Sequence, residues 1–382
     1  MTYKNLEEYL VESSYFDNGG LWSAGGGSSG QLGNNGTSSA STPVQTISVG
    51  TNWKQVSCGY NYTAAIKTTG ELWLWGSNDS CQLGRQLGLA VPGSSPMQTT
   101  VGGTNWKQVS CGAMHTAAVK TDGTLWTWGS NTYMQLGRSA STSGTTFSTP
   151  MQTTVGGTNW RQVAAGKSQT AAIKTDGTIW CWGWNLFGEL GDSTNTQTST
   201  PVQVVGAGAP WKQVACGSYH TAAINTNGEL WSWGQGTRLG TVSTTDKNSP
   251  VQTAHGGTNW KQVACGDSNT AAIKTNGELW IWGANQYGSL GNNSTTTSST
   301  PVQTSVAGTN WRQVDCGETH TVAIKTNGEL WTWGFNTSGQ LCDGTTVHKS
   351  NPVQTSVGGT NWKKVAAGGV TVAINESWGL VT

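Results

Sequence analysis

The feature that most constrains the fold is a sequence unit of about fifty residues that recurs along the chain, a period typical of propeller blades and helical arrays. Each copy begins with the signature Trp-Lys/Arg-Gln/Lys-Val. The copies begin at Trp53, Trp106, Trp160, Trp211, Trp260, Trp311 and Trp362. An uninterrupted repeat predicts a single domain, although 382 residues are enough for two or three.

A second signature, in which Leu-Trp or Ile-Trp leads into a glycine, is out of phase with the first. Six copies follow the first signature, at Leu72, Leu125, Ile179, Leu230, Leu279 and Leu330. The seventh copy begins at Leu21, ahead of every copy of the first signature. The two ends of the chain are therefore expected to share one repeat.

Each repeat divides into four short extended segments, and no segment of ten or more residues has helical periodicity. In the first repeat the segments are Pro43–Thr46, Trp53–Cys58, Thr63–Thr68 and Glu71–Trp75. Turns rich in Gly, Asn and Asp separate them. Four antiparallel strands in each of seven repeats predict an all-β fold, a single seven-bladed β-propeller.

Closure of the ring is expected to join the N-terminal strand to the C-terminal blade. The last repeat is predicted to use Pro352–Thr355, Trp362–Val365 and Thr371–Ile374, with Leu21–Gly25 as its fourth strand. Gly379–Val381 is the competing closing strand. The propeller is thus assigned to residues 18–377, with a tail at 378–382. Residues 1–17 form an extension, either a short helix that docks into a neighbour or a frayed terminus.

Composition adds that only 10% of the residues are charged, while Gly, Ser, Thr and Asn are abundant. The N-terminus has acidic residues where a signal peptide needs an apolar run, and no stretch approaches the length of a membrane span. The expected location is therefore a virion if the protein is viral and otherwise the cytoplasm.

The cysteines are expected to be free thiols of a reducing compartment. Five occupy one repeat position, where two other copies carry alanine. A cysteine that alanine can replace is a small buried residue rather than half of a disulfide. The recurrent cysteines are Cys58, Cys111, Cys216, Cys265 and Cys316, and the alanines are Ala165 and Ala367.

Three motifs make up one repeat: Gly-Glu-Leu-Trp-x-Trp-Gly-x-Asn-x-x-Gly-Gln-Leu-Gly, then Ser-x-Pro-Val-Gln-Thr, then Trp-Lys-Gln-Val-x-Cys-Gly-x-x-His-Thr-Ala-Ala-Ile-Lys-Thr-x-Gly. These motifs resemble those of the regulator of chromosome condensation repeat family. The resemblance implies a seven-bladed propeller with about one repeat in each blade. The family includes nucleotide exchange factors for a small GTPase, a plant ultraviolet photoreceptor, β-lactamase inhibitors, and copies in bacteria and viruses. It therefore implies a scaffold and does not select one function.

Two of these functions fit the sequence poorly. The exchange factor uses a basic N-terminal tail, whereas residues 1–17 carry four acidic side chains and one lysine. The photoreceptor has tryptophans at a Gly-Trp-Arg-His-Thr motif, whereas residues 111–116 read Cys-Gly-Ala-Met-His-Thr and residues 216–221 read Cys-Gly-Ser-Tyr-His-Thr. Twenty of the 22 tryptophans lie at repeat positions, which indicates that they pack the fold.

Strand alternation distributes the loops over two faces. The loops between the second and third segments and those after the fourth lie on one face, which we call the irregular face. Side chains there that do not recur in every repeat are free to bind a partner, and aromatic residues and Met are enriched at interface centres. The alternative for each is capping of the apolar end of a blade. The candidates are Tyr60, Tyr62, Met114, Tyr133, Trp184, Phe187, Tyr219, Tyr287 and Phe335.

The opposite face, which we call the basic face, has a net charge of about +7 and is predicted to dock onto an anionic partner, with attraction that weakens as salt rises. The alternative, which the sequence favours, is solvated hairpin ends with lysine–glutamate pairs across the turns. One ring of cations is Lys54, Lys107, Arg161, Lys212, Lys261, Arg312 and Lys363. A partial second ring is Lys67, Lys120, Lys174, Lys274 and Lys325, with Lys364 beside them.

Residues suited to catalysis are not apparent, so we expect a non-enzymatic protein without cofactor or metal. His115, His220 and His320 share one repeat position in alternate blades, which spreads them around the ring. The glycine-rich residues 25–30 lack the Lys-Ser/Thr of a phosphate-binding loop. Nucleic acid is not an expected ligand, because aromatic residues are not interleaved with the lysines.

The low charge, the Thr/Asn/Gly richness and the uniform repeats resemble the copies of this repeat in virion and tail-associated proteins of tailed phages. The leading prediction is a tail, baseplate or attachment component that contacts other structural proteins of a large assembly without inserting into a membrane. A cellular regulator that binds a GTPase or another protein is the first alternative. The second is a lectin-like binder of glycans or another host-surface ligand, because exposed aromatic rings suit sugars.

Overall fold

The structure, a computed structural model, describes residues 19–47, 50–85, 93–138, 145–206, 208 and 210–376. These residues contain 28 strands in seven antiparallel sheets of four strands each. The seven sheets surround a central channel, so the predicted seven-bladed β-propeller is confirmed. Within the described ranges, no helix has the length and apolarity needed to cross a bilayer.

Each blade contains four strands in order from the channel outward. The innermost strands are β3 (Trp53–Cys58), β7 (Trp106–Cys111), β11 (Trp160–Ala165), β15 (Trp211–Cys216), β19 (Trp260–Cys265), β23 (Trp311–Cys316) and β27 (Trp362–Ala367). The second strands are β4 (Tyr62–Lys67), β8 (His115–Lys120), β12 (Gln169–Lys174), β16 (His220–Asn225), β20 (Asn269–Lys274), β24 (His320–Lys325) and β28 (Val370–Glu376). We number the blades 1 to 7 in the order of the innermost strands.

The third strands carry the second signature, and the outermost strands carry the Pro-Val-Gln or Pro-Met-Gln segment. The third strands are β1 (Gly19–Gly25), β5 (Leu72–Gly76), β9 (Leu125–Ser130), β13 (Ile179–Gly183), β17 (Leu230–Gly234), β21 (Leu279–Gly283) and β25 (Leu330–Gly334). The outermost strands are β2 (Ala40–Gln45), β6 (Gly93–Gln98), β10 (Thr146–Gln152), β14 (Thr198–Gln203), β18 (Lys247–Gln252), β22 (Ser298–Gln303) and β26 (Lys349–Gln354).

The outermost strands correct one part of the sequence interpretation. The Pro-containing segment was assigned to the start of its own repeat, but it pairs with the third strand of the preceding one, as β6 does with β5. The reason is that the innermost strand has its free edge toward the channel and offers no position for another strand. Pro352–Thr355 was therefore wrongly placed in the last blade, because β26 pairs with β25 in blade 6.

Blade 7 joins the two ends of the chain and closes the ring. The N-terminal strand β1 pairs with β28 along its length, with Leu21 opposite Ile374. The predicted closing strand is confirmed, and a second N-terminal strand, β2, completes the blade. Both edges of β28 are therefore paired, one with β1 and the other with β27. Residues 1–17 and 378–382, with the competing strand Gly379–Val381, lie outside the described residues.

A buried tryptophan ties each of six blades to the blade before it. The second Trp of the third strand, such as Trp128, has no solvent exposure. Its indole N–H donates to a loop carbonyl of the preceding blade, from Trp128 Nε1 to the Gln82 oxygen at 2.8 Å. The same bond recurs from Trp75, Trp182, Trp233, Trp282 and Trp333. Because each Trp buries roughly 150–250 Å², these contacts account for much of the cohesion between blades.

A glutamine in each of six innermost strands joins neighbouring blades around the channel. Gln55 donates from Nε2 to the Val109 oxygen at 2.9 Å, and its Oε1 accepts the Val109 N–H at 3.1 Å. In blade 7 this position is Lys364, so the junction with blade 1 lacks the glutamine and keeps the backbone bond found at other junctions, from Gly369 N to the Gly59 oxygen at 3.1 Å. The other glutamines that donate to the next blade are Gln108, Gln162, Gln213, Gln262 and Gln313.

Three histidines hold neighbouring blades together from buried positions. His115 Nε2 lies 2.9 Å from Thr170 Oγ1, and that hydroxyl donates its proton to the Gln135 oxygen. The histidine must therefore be the donor at Nε2, which leaves Nδ1 unprotonated, and Nδ1 has no partner among the described residues. Burial lowers the pKa of His115 to about 3. The same arrangement with a threonine recurs at His220 and His320.

All eight cysteines are free, and the recurrent ones lie between the blades. The Cys111 thiol contacts the Ser57 oxygen of the preceding blade at 3.5 Å, and Cys265 contacts the Ala215 oxygen at 3.7 Å. Burial raises the pKa of the Cys111 thiol to about 12. These residues therefore pack as small protonated groups.

Five lysines of the second strands lie between two tryptophans of their own blade. The Lys120 ammonium is 4.6 Å from the ring centroid of Trp106 and 4.4 Å from that of Trp126. Desolvated cation–π contacts are worth about 2 kcal/mol. The other four are Lys67, Lys174, Lys274 and Lys325. Three of the five also pair with hairpin carboxylates, as Lys67–Glu71, Lys274–Glu278 and Lys325–Glu329. The partial second ring on the basic face is thus part of the fold.

Replacement of Lys120 by methionine keeps the aliphatic stem and removes the charge between the two rings. We expect Lys120→Met to lower the free energy of unfolding by about 1–2 kcal/mol. The matched control is Lys107→Met, because Lys107 is exposed on the same face and its loss should change stability by about 0.5 kcal/mol or less. Urea titrations of both variants check the prediction, and equal effects would contradict it.

Candidate functional site

The irregular face has a ring of loop positions at the channel mouth where every blade carries a different residue. Each position directly follows a recurrent Cys-Gly or Ala-Gly pair at the end of an innermost strand. The seven residues, which we call the mouth ring, are Tyr60, Ala113, Lys167, Ser218, Asp267, Glu318 and Gly369. The strands beneath this ring are nearly uniform, so the diversity is confined to one opening.

Tyr60 spans the opening. Its hydroxyl, from blade 1, lies 2.8 Å from both carboxylate oxygens of Asp267 in blade 5 and 3.3 Å from Ser218 Oγ in blade 4. Ser218 also donates to Asp267. Burial, followed by the charge of Asp267, raises the pKa of Tyr60 far above its usual range, so the phenol keeps its proton and donates it. This contact lies over a channel cavity of about 320 Å³.

Two carboxyl groups near this contact have raised pKa values. Burial, followed by the charge of Asp267, raises the pKa of Glu318 to about 7, while Lys167 acts in the opposite direction. Asp315 lies in the channel wall and accepts the backbone N–H groups of Cys316 at 3.0 Å and Ala367 at 2.9 Å. Burial raises the pKa of Asp315 to about 7. The charge at this end of the channel therefore changes near neutral pH.

An apolar and aromatic surface lies beside the mouth ring on blades 2 to 4. Met114 is 50% exposed, Leu186 57% and Tyr133 38%. Tyr133 packs edge-on against Trp184 with ring centroids 4.7 Å apart, and Phe187 packs edge-on against Tyr219 at 5.5 Å. We call these residues the interaction patch: Met114, Tyr133, Trp184, Leu186, Phe187 and Tyr219.

Tyr219 connects the interaction patch to the mouth ring. The Lys167 ammonium donates to the Tyr219 hydroxyl at 3.0 Å and lies 5.0 Å from the centre of its ring. The Arg238 guanidinium lies 5.3 Å from the centre of the same ring. The patch and the mouth ring therefore form one surface, with apolar groups on one side and charged groups at the channel.

The remaining sequence-based candidates, Tyr287, Phe335 and Tyr62, lie outside the interaction patch. Tyr287 and Phe335 lie on blades 5 and 6, with ring centroids 4.8 Å apart, and the imidazole of His348 stacks on Phe335 at 4.9 Å. Both are partly buried by this mutual packing. Tyr62 is fully buried and its hydroxyl donates to the His115 oxygen. The assignment of Tyr62 to the binding surface is therefore corrected, because this side chain is part of the core.

Several residues of this surface were absent from the sequence-based candidates. Leu186 was missed because only aromatic residues and Met were counted. Lys167, Ser218, Asp267 and Glu318 were missed as site residues because none is aromatic. The available signal was the position itself, which follows a recurrent glycine and differs in all seven copies.

Among the residues that the structure describes, no group of three or more His, Cys, Asp or Glu side chains is arranged to hold a metal ion. The three buried histidines point between blades and bond to threonines. What the surface offers is a shaped array of aromatic, apolar and charged groups, which suits binding.

Comparison with known proteins identifies the family. Residues 85–381 match the RCC1-like domain, and residues 18–66 and 53–82 match the regulator of chromosome condensation (RCC1) repeat. The chain belongs to the RCC1-like domain family. The resemblance predicted from the repeat residues is therefore confirmed.

Two curated relatives of this RCC1-like chain differ in how much of their length it matches. It is 30% identical over 364 residues to the ultraviolet-B receptor UVR8 of Arabidopsis thaliana, and the aligned region covers 93% of this chain and 82% of UVR8. It is 29% identical over 359 residues to the human E3 ubiquitin-protein ligase HERC2, and the aligned region covers 92% of this chain and only 6% of HERC2. The RCC1-like unit is thus most of one relative and a small part of the other.

Solved structures share the fold at low sequence identity. Human WBSCR16 superimposes with a TM-score of 0.82 at 23% identity, over 94% of this chain and 99% of that one. Yeast RCC1 (Prp20), solved with Kap60 bound, superimposes with a TM-score of 0.84 at 18% identity, over 100% of this chain and 95% of that one. None of these four relatives is a virion protein. The comparisons therefore give the predicted phage role no support, and they agree better with the regulatory alternative.

Proposed function

We propose that this RCC1-like propeller is a non-enzymatic regulatory binding module that binds a partner protein through its irregular face. The mouth ring is the centre of the site, and the interaction patch is its apolar side. The observation that carries the proposal is the mouth ring, in which seven equivalent positions hold seven different residues. A position that served only the fold would repeat, as the tryptophans and glutamines of the same blades do.

The chemistry of this surface fits a protein partner. Interface centres combine aromatic and apolar anchors with a few desolvated polar groups. The interaction patch supplies exposed Met114 and Leu186 beside edge-packed aromatic rings. The mouth ring supplies Asp267, Glu318 and Lys167 as partly buried charges, which would specify one partner among many.

Relatives support a protein ligand as the class of partner. Prp20p of Saccharomyces cerevisiae, which shares this fold at 18% identity, has been described with its binding properties to Gsp1p and histones. The family resemblance adds small GTPases as the first partners to test. We propose binding to such a partner and do not propose nucleotide exchange.

The test is partner recovery from the native source with tagged full-length chain and surface variants. Met114→Ser combined with Leu186→Ser removes two exposed apolar groups from the interaction patch and should leave stability nearly unchanged. We expect this variant to lose the recovered partner at least about tenfold, because exposed anchors at an interface centre each contribute on the order of 1 kcal/mol or more.

The matched control is Val357→Ser, because Val357 is 50% exposed, like Met114, and lies in a loop on the basic face. It should retain the partner at the wild-type level. Loss of the partner in the control variant but not in the patch variant would place the interface on the opposite face and contradict the proposal.

A further inference from the structure

The basic face contains a second candidate site, at the other end of the channel. The ring of seven cations, Lys54 and its equivalents, occupies the second residue of each innermost strand. In six blades the residue that follows the cation lines the channel, as Gln55 does in blade 1. The cations therefore surround the basic mouth of the channel, and we call them the inner basic ring.

Each cation of the inner basic ring lies in a β-bulge. In blade 1, Trp53 pairs with Lys67 and Gln55 pairs with Ile66, so Lys54 is an extra residue without an opposite partner. The same register shift occurs at the start of every other innermost strand. Bulges re-aim the side chain of the inserted residue and are frequent at barrel rims and beside active sites. Seven bulges thus place seven cations at one opening.

The two rings of the basic face differ in how their charge is compensated. The second-strand lysines lie between tryptophans, and three of them pair with glutamates. Among the described residues, no carboxylate lies within 4.0 Å of the ammonium groups of four inner-ring lysines. These are Lys54, Lys107, Lys212 and Lys261. Partial desolvation, followed by the charge of Lys107, lowers the pKa of Lys54.

Backbone contacts hold the ring in a compact arrangement. In six blades the glutamine beside the cation bonds to the next blade at about 3 Å, as Gln55 does to Val109, so neighbouring cations are held side by side. The Arg312 guanidinium donates to the Trp362 oxygen of the next blade at 2.6 Å, and Arg161 makes the equivalent contacts in blade 3. Lys364 replaces the glutamine in blade 7, and the neighbouring charges of Arg312 and Lys363 help to lower its pKa, after desolvation.

We propose that the inner basic ring binds a compact, soluble polyanion that carries several phosphate groups. Cations arranged around one axis converge on a small multivalent ligand, whereas a strip of cations would track an extended chain. Five pairs of tryptophans on this face hold the sandwiched lysines, and in the other two blades Trp22 and Trp231 pack against the core. They therefore offer no stacking surface for the bases of a nucleic acid. This site is separate from the protein-binding site on the irregular face.

The test is calorimetric titration of the full chain with inositol hexakisphosphate, at about 50 mM and at about 150 mM salt, because charge attraction is screened by salt. We expect saturable binding of one ligand per chain. Lys54→Gln combined with Lys107→Gln should weaken it about 20-fold, since each exposed charge-assisted contact contributes several-fold to affinity. The charge-matched control, Lys247→Gln with Lys349→Gln, removes two cations from outside this ring and should bind as the wild type does.

Three results would overturn the proposal. Equal weakening in both double variants would show attraction to net charge without a site. Tighter binding of polyglutamate than of the inositol phosphate would assign the ring to an acidic peptide. Binding only to vesicles that contain phosphatidylinositol bisphosphate, without binding of the free inositol phosphate, would assign it to a membrane surface.

Discussion

Replacement of Trp182 by alanine is expected to lower the free energy of unfolding by about 3–5 kcal/mol, the range for large-to-small changes at buried aromatic residues. Trp182 has no solvent exposure, packs against Trp160 with ring centroids 6.4 Å apart, and donates to the Gln135 oxygen of the preceding blade at 2.8 Å. The variant loses the packing and one of the two donors to the Gln135 carbonyl, which keeps the bond from the Thr170 hydroxyl. Urea unfolding monitored by circular dichroism measures the effect.

Trp184 is the matched control, because it is the same residue type two positions along the chain. It lies partly exposed in the interaction patch, against Tyr133. We expect Trp184→Ala to cost about 1 kcal/mol or less in stability and to weaken partner recovery instead. If both variants lost the same stability, the distinction between blade-joining and binding tryptophans would be wrong.

The second large effect is the loss of folding stability at acidic pH. Burial lowers the pKa of His115 and of His220 to about 3 and that of His320 to about 4, against an ordinary value near 6.5. The unfolded chain therefore binds these protons more tightly, so the stability that depends on neutral histidines is present above pH 6.5 and is lost as the pH falls toward 3. At pH 4, His115 and His220 should each account for a loss of about 3 kcal/mol.

The substitution that removes this sensitivity is already present in the chain. Gln169 occupies the histidine position in blade 3 and donates to the Gly217 oxygen at 2.9 Å. We expect the triple variant His115→Gln, His220→Gln, His320→Gln to lose much less stability than the wild type between pH 6.5 and pH 4. Chemical unfolding at a series of pH values checks this.

Three carboxyl groups also contribute to the pH dependence of stability. The pKa values of Glu189, Asp315 and Glu318 are raised to about 7. They oppose the histidines, since their contribution to stability is complete below the unfolded pKa and is lost as the pH rises toward 7. All three remain in the triple variant and cancel in the comparison. His255→Gln, at an exposed imidazole, should leave the acid dependence close to that of the wild type. An unchanged acid dependence in the triple variant would contradict the assigned role.

The fold was predictable because the repeat is nearly uniform and its two signatures are out of phase. The position of Leu21 ahead of Trp53 was enough to predict that the N-terminal strand closes the last blade. The outermost strand was assigned to the wrong blade because adjacency along the chain does not show which sheet edge is free. That information depends on the channel, which forms only when all seven blades are present.

The candidate site was predictable in part, because residues that do not recur do mark the irregular face. Tyr62 shows the limit of this rule, since it occupies the buried position that His115 has in blade 2 and replaces it in the core. The contact between Tyr60 and Asp267 joins residues 207 positions apart and depends on ring closure. The two basic rings looked alike in sequence, and only the cross-strand register separates bulged Lys54 from Lys67, which is held between two tryptophans.

The most direct test of the central claim is backbone hydrogen exchange of the full chain, alone and in complex with the partner recovered from its native source. The proposed function predicts slower exchange on binding in the loops of the irregular face, including residues 59–61, 112–114, 217–219 and 266–268. The loops of the basic face, such as residues 99–105, should exchange at the same rate in both states. Protection confined to the basic-face loops would contradict the account.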